Sequence, residues 1–138
     1  HLARPHANSV TTRLEACFWM QGERDARFPR AADSYDENLS HLVQSLRHDL
    51  KAPNLIFISG RINPPADERY SHRDQVRRAI ESLPARVENT AWIDCDDITL
   101  HDDQLHFNSV GQLELGNRFA QSYLQLARRT EKESSHEF

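Results

Sequence analysis

The feature that most constrains this chain is the run Leu55-Ile56-Phe57-Ile58, four consecutive large apolar residues between Pro53 and Gly60. It is too short for a helix of its own and does not alternate with polar residues. A strand with one wet face alternates, whereas a strand covered on both faces does not. Two other segments share the pattern: residues 14–20 (LEACFWM) and 89–94 (NTAWID). Between and after them lie helical periodicities. Leu39, Leu42, Val43, Leu46 and Leu50 recur at spacings of three and four from Tyr35 onward, with Ser34 and Glu37 as a capping box and Pro53 as a stop. A shorter helix is predicted through Val76, Ala79, Ile80 and Leu83, opened by Ser71 and Asp74. A third begins at Ser109, with Gln112 as its reciprocal cap, and continues through Leu113, Phe119, Tyr123, Leu124 and Ala127.

Alternation of strand and helix predicts an α/β fold: a parallel sheet with right-handed crossovers. At 138 residues the chain is the size of one domain. Residues 1–128 are assigned to that domain, and the charged residues 129–138 to a polar tail. A formal net charge of −4 without a basic stripe argues against a nucleic-acid groove. The absence of any apolar run of about 20 residues argues against a membrane helix. Cys17 and Cys95 both sit in or at the end of apolar runs, where buried thiols are expected rather than a disulfide.

In parallel α/β sheets, ligands bind beyond the carboxyl ends of the strands. The polar, ionisable residues gather there. After the first strand comes Gln21-Gly22-Glu23-Arg24-Asp25; after the second, Gly60-Arg61-Ile62-Asn63; after the third, Asp96 and Asp97, then His101-Asp102-Asp103-Gln104-Leu105-His106. An Asp three residues ahead of a His can fold back to accept the imidazole Nδ1–H, leaving Nε2 as a general base. By spacing alone such a pair is more often an incidental surface contact, and its place after the last strand is what raises its interest. His101 and Asp102 with Asp103 and His106 offer a metal site as the alternative, although no second His or Cys cluster completes it. Gln21, ending a buried strand, can aim its amide N–H at an oxyanion. Gly22 permits a sharp turn or close approach. Glu23 can anchor the loop to Arg24 or to a helix N-terminus. A plain polar turn would account for the Gln21 segment equally well.

Taken together these residues resemble a known family. Residues 18–26 (FWMQGERDA) are similar to the W-x-Q-G-E-S-D-A block of the sialate O-acetylesterase and acetylxylan esterase branch of the SGNH, or GDSL-type, hydrolases. Asp103-Gln104-Leu105-His106-Phe107-Asn108, followed by Gly111 through Ala120, resembles the closing block of that branch, an Asp-x-x-His pair before a G-x-x-x-L-G-x-R helix. Leu46-Arg47-His48-Asp49-Leu50 and the segment 56–60 fit as well. The resemblance implies a three-layer, flavodoxin-like sheet. It also implies a Ser-His-Asp carbohydrate O-acetylesterase working through an acyl-enzyme, without a cofactor or metal. His106 would be the base, Asp103 its orienting acid and Gln21 an oxyanion donor, with Gly22 and Glu23 binding substrate or supporting the loop.

The chain departs from the family at Arg24, where a Ser is usual. The G-Q-S-N-like nucleophile block has no counterpart, nor does a G-x-S-x-G elbow occur. Ser9 follows Asn8 with no strand ahead of it and is not promoted. The chain therefore reads as the C-terminal part of such a domain, lacking its first strands and inactive alone. In a sheet of order 2-1-3-4-5, residues 14–20 would form an uncovered apolar edge. A second copy of the chain or a preceding segment would cover it. The alternative is a catalytically silent α/β module that binds a glycan or protein partner.

Overall fold

The computed structural model describes residues 12–134. Three strands, β1 (Ala16–Trp19), β2 (Ile56–Gly60) and β3 (Thr90–Ile93), form one sheet of order β1-β2-β3. Both pairings are parallel, with Ala16 opposite Ile56 and Phe57 opposite Thr90. Helices α1 (Pro29–Asp49), α2 (Arg73–Arg86) and α3 (Ser109–Ser134) alternate with the strands. Single 3-10 turns at Asp25–Arg27 and Glu68–Tyr70 precede α1 and α2.

Strand alternation sorts the side chains into two cores. Cys17, Trp19, Phe57 and Trp92 point to the face covered by α1 and α2, where Tyr35, Leu39, Val43, Val76, Ile80 and Leu83 meet them. Ala16, Ile56, Ile58, Ala91 and Ile93 point to the other face, under Leu115, Phe119 and Tyr123 of α3. The strands step in one direction across the sheet, so crossovers of one hand leave α1 and α2 on the same face. Every residue of β2 is buried, which is why its sequence does not alternate. β1 is one of the two edges of the sheet among the described strands, with Leu14 and Phe18 about half exposed. The Phe18 ring rests on Phe119, centroids 5.0 Å apart. Neither cysteine is in a disulfide; Cys95 is buried and Cys17 half-buried.

The helix starts differ from the sequence-based expectation. α1 begins at Pro29, six residues before Tyr35, and Ser34 is already inside it, donating to the Arg30 carbonyl at 3.0 Å. Proline suits a first turn because its missing N–H would be unpaired there anyway, and Phe28 before it is extended. α2 starts at Arg73 after His72, with no side-chain cap, so Ser71 does not open it. It also runs through Pro84 to Arg86. α3 is capped by Asn108, one residue before Ser109: its Oδ1 accepts from Gly111 N at 2.9 Å. α3 also continues to Ser134, so the first polar tail residues extend the helix. No helix among the described residues is long and apolar enough to cross a membrane.

Candidate active site

Because the sheet is parallel, the chain leaves β1, β2 and β3 at the same edge. Gln21 emerges there from β1, and the loop of residues 94–108 from β3. That longer loop is anchored at its base by arginines. Arg77 makes two hydrogen bonds to Asp96, both 2.8 Å, and Arg61 reaches Glu81 at 2.6 Å, Asp94 at 2.7 Å and Asp96 at 2.8 Å. Arg118 of α3 grips Asp97 with two bonds of 2.6 and 3.0 Å. The hydrogen bonds from Arg77 hold the Asp96 carboxyl below its ordinary range, and those from Arg118 do the same for Asp97.

Further out, Leu100 and Phe107 form an isolated antiparallel bridge, and His101 N donates to His106 O at 2.7 Å. This pinches residues 101–106 into a tight projecting turn, with Gln104 at a left-handed φ of 57°. At its tip the Asp103 carboxylate is fully used. Oδ1 accepts from the backbone N–H of Leu105 at 2.9 Å and of His106 at 3.0 Å, while Oδ2 lies 2.6 Å from His106 Nδ1. The His106 ring bond, then the two backbone donors, push the Asp103 carboxyl far below the usual carboxylate range. An ionised carboxylate can only accept, so Nδ1 carries the proton and Nε2 has the free lone pair. The His106 side chain is 73% exposed, so Nε2 is open to a reactant.

Asn108 joins this turn to α3. Its Oδ1 also accepts from Thr99 Oγ1 at 2.9 Å, and its Nδ2 donates to Leu100 O at 3.1 Å. A Cβ on Gly111 would lie 2.2 Å from Thr99 O, so only glycine lets the helix approach the loop this closely. Between Asp103 and His106, Leu105 turns inward and packs against the core cluster beneath α1 and α2, as Trp19 and Met20 also do.

The Gln21 loop is built differently. Gly22 is buried at φ +146°, and a Cβ there would meet Val76 Cγ1 at 2.9 Å and the Tyr35 hydroxyl at 3.0 Å. The buried Tyr35 phenol donates to Gln21 O at 2.6 Å, and burial pushes that phenol up, keeping it protonated. The Gln21 side-chain Nε2 donates to Asp25 Oδ2 at 2.5 Å. Glu23 makes neither expected anchor: among the described residues its carboxylate has no hydrogen bond or ion pair, and Arg24 instead lies over the Phe28 ring, 5.9 Å from its centroid. Nor do His101 and Asp102 converge with the pair; no three His, Cys, Asp or Glu side chains among the described residues form a metal-ligand group.

Asp25, Tyr35 and Asn108 were not singled out from sequence. The spacing Gln21 to Asp25 was a usable signal for the first, and the residue just ahead of the Ser109 helix for the last. Tyr35 pointed only to a helix face.

The profile for carbohydrate esterases described as sialic acid-specific acetylesterases matches residues 2–125. The chain belongs to this family. It is 34% identical over 111 residues to the probable carbohydrate esterase At4g34215 of Arabidopsis thaliana, covering 80% of the chain and 40% of that protein. The crystal structure of the same Arabidopsis protein superimposes with a TM-score of 0.73, over 82% of this chain and 45% of the other. A carbohydrate esterase family 3 structure from Talaromyces cellulolyticus, 20% identical, has a TM-score of 0.62, covering 83% of this chain and 59% of that one, and shares the fold. The chain therefore has the expected flavodoxin-like α/β architecture. It spans less than half the length of its Arabidopsis relative.

Proposed function

We propose that this chain supplies the general base, its orienting acid and an oxyanion donor to a serine-type carbohydrate O-acetylesterase. One observation carries it: the 2.6 Å contact of His106 Nδ1 with an Asp103 carboxylate whose other oxygen is tied to the backbone. That geometry holds the tautomer a serine nucleophile requires. Family membership supports an acetylated carbohydrate as substrate. In this reading His106 Nε2 takes the proton of a serine hydroxyl as it attacks the acetyl carbonyl. Gln21 donates to the developing oxyanion, and as the acetyl C–O bond breaks His106 gives the proton to the departing sugar oxygen, which leaves as a hydroxyl. Water then repeats the sequence on the acyl-enzyme.

No nucleophile block occurs in residues 1–138, so the attacking serine is assigned to a segment outside them. The outer side of β1, with half-exposed Phe18 and Leu14, is where such a segment would add a strand. A second copy of the chain is the other occupant of that edge. Without a nucleophile a serine hydrolase loses about a million-fold in rate. The 138-residue chain is therefore expected to release acetate from an activated acetyl ester barely above buffer. Adding a segment with a serine on a strand-to-helix turn restores turnover, and His106→Ala removes it.

Strong activity of the isolated chain lost in Ser9→Ala would place the nucleophile at Ser9 instead. Activity that survives every Ser substitution but is lost with a chelator would favour a metal at His101, Asp103 and His106. The missing nucleophile block also favours a second reading, a silent module that binds a glycan or protein partner. Glycan or partner binding with no turnover even after complementation would select it.

A further inference from the structure

The Gln21 side chain is held by a residue to which the esterase reading gives no role. Its Nε2 lies 2.5 Å from Asp25 Oδ2, half-buried, and an ionised acceptor makes such a bond stronger than one between neutral groups. An ionised carboxylate only accepts, so the bond chooses between the two faces of the amide: the nitrogen must face Asp25, and the oxygen must turn away. The terminal torsion of a free Gln is broad and roughly two-fold. Unheld, the amide would present its oxygen to an oxyanion about as readily as an N–H, and oxygen repels it.

Asp25 is itself fixed. It opens the 3-10 turn Asp25–Arg27, whose buried Ala26 donates to Gly22 O at 2.9 Å and accepts from His72 N at 3.0 Å. The main chain of Gln21 is held separately, by Tyr35 Oη on its carbonyl at 2.6 Å. Backbone and side-chain amide thus have independent supports.

We propose that Asp25 is a positioning residue for the oxyanion donor, turning the Gln21 amide so that one Nε2–H is spent on the carboxylate and the other is left for the reacting carbonyl oxygen. This rests on the assignment of Gln21 as that donor. A competing effect works against it, because a carboxylate near a developing oxyanion repels it. Orientation prevails if the acceptor oxygen matters more than its charge, and Asp25→Asn separates the two, since it keeps an acceptor of the same shape without the charge.

The test has two arms. In the ¹⁵N-labelled chain, the Gln21 side-chain amide protons should be well separated, one of them far downfield. Asp25→Ala should collapse that separation while the backbone signals of Gly22 and Ala26 stay in place, and Asp25→Asn should largely preserve it. An unchanged side-chain signal in Asp25→Ala, or a general shift of the loop backbone, overturns the proposal. In the nucleophile-complemented esterase, Asp25→Ala should lower kcat on the order of ten- to a hundredfold at constant KM, below the hundredfold or more for losing the donor in Gln21→Ala. Asp25→Asn should recover most of it, and Asp25→Ala should add nothing to Gln21→Ala. If Gln21→Ala costs activity and Asp25→Ala does not, the positioning role alone fails. If Gln21→Ala costs nothing, the donor assignment beneath it fails. An Asp25→Ala faster than the parent shows that charge repulsion prevails over orientation and overturns the proposal.

Discussion

The two halves of the site stand at the same sheet edge yet are held by different physics. The Gln21 loop is held from outside its own segment: Val76 and the buried Tyr35 pack against a buried glycine at φ +146°, leaving no room for a side chain there, and Tyr35 bonds to the Gln21 carbonyl. The His106 turn is held by hydrogen bonds of its own short segment, and its side chains are largely in water. On the proposed assignment, Gln21 as donor to charge appearing in the transition state gains from rigidity and exclusion of water. On the same assignment, His106 as a base that exchanges protons with a reactant and with water needs access. The molecule places packing where stiffness matters and local bonds where exposure matters.

The comparison breaks most sharply at glycine. Gly22→Ala places a Cβ in a region hostile to L residues and 2.9 Å from Val76 Cγ1. It should destabilise the fold by about 3 kcal/mol, read by urea denaturation. Gln104 on the His106 turn also has a positive φ, 57°, but in the left-handed helical region and exposed. Gln104→Gly should change stability by less than about 1 kcal/mol in the same assay. Equal effects at the two positions would mean that both loops are held alike.

Next in size is Asn108→Ala. It removes the α3 cap and the bond to Leu100 O together. A loss of about 1–2 kcal/mol is expected. It should be accompanied by faster amide exchange across the turn at Leu105 and His106, with the Gln21 loop unchanged. Asp103→Ala should be milder still for stability, within about 1 kcal/mol, because the turn is exposed. It should nevertheless erase the downfield Nδ1 proton signal of His106. Retention of that signal would mean that another group orients the ring.

The smallest effect is that of acid. Arg77 lowers the Asp96 carboxyl, and His106 with two backbone donors lowers Asp103. For a depressed carboxylate, the folded state binds its proton less readily than the unfolded one. The stabilisation is therefore complete above the ordinary value of 3.8 and is lost as pH falls below it, toward the lower folded values. Melting temperatures should hold from neutrality to about pH 4 and drop below that. Arg77→Ala should flatten the part of that drop due to Asp96. A melting curve that begins to fall near pH 6 would implicate histidines instead.

Much of this was legible in the sequence, for a stated reason. β2 lies under helices on both faces, so its composition alone reports a central parallel strand. The Asp103–His106 contact spans three residues, and local geometry suffices to close it. Helix starts were harder: Ser34 reads as a cap, but the helix already begins at Pro29, a residue welcome in a first turn, and Ser34 merely bonds back to Arg30. Asn108 was passed over because the neighbouring Ser109 and Gln112 mimic a capping box.

By itself the sequence determined the parallel sheet, the edge at which its polar residues gather and the Asp103–His106 contact, because each follows from periodicity or from contacts a few residues apart. Only the tertiary structure decided how the Gln21 loop is held. Tyr35 reaches the Gln21 carbonyl across fourteen residues, and Val76 of α2 closes over Gly22. Those contacts exist because α1 and α2 pack on the same face of β1 and β2. No local pattern in a chain encodes which two helices will share a face at a given glycine.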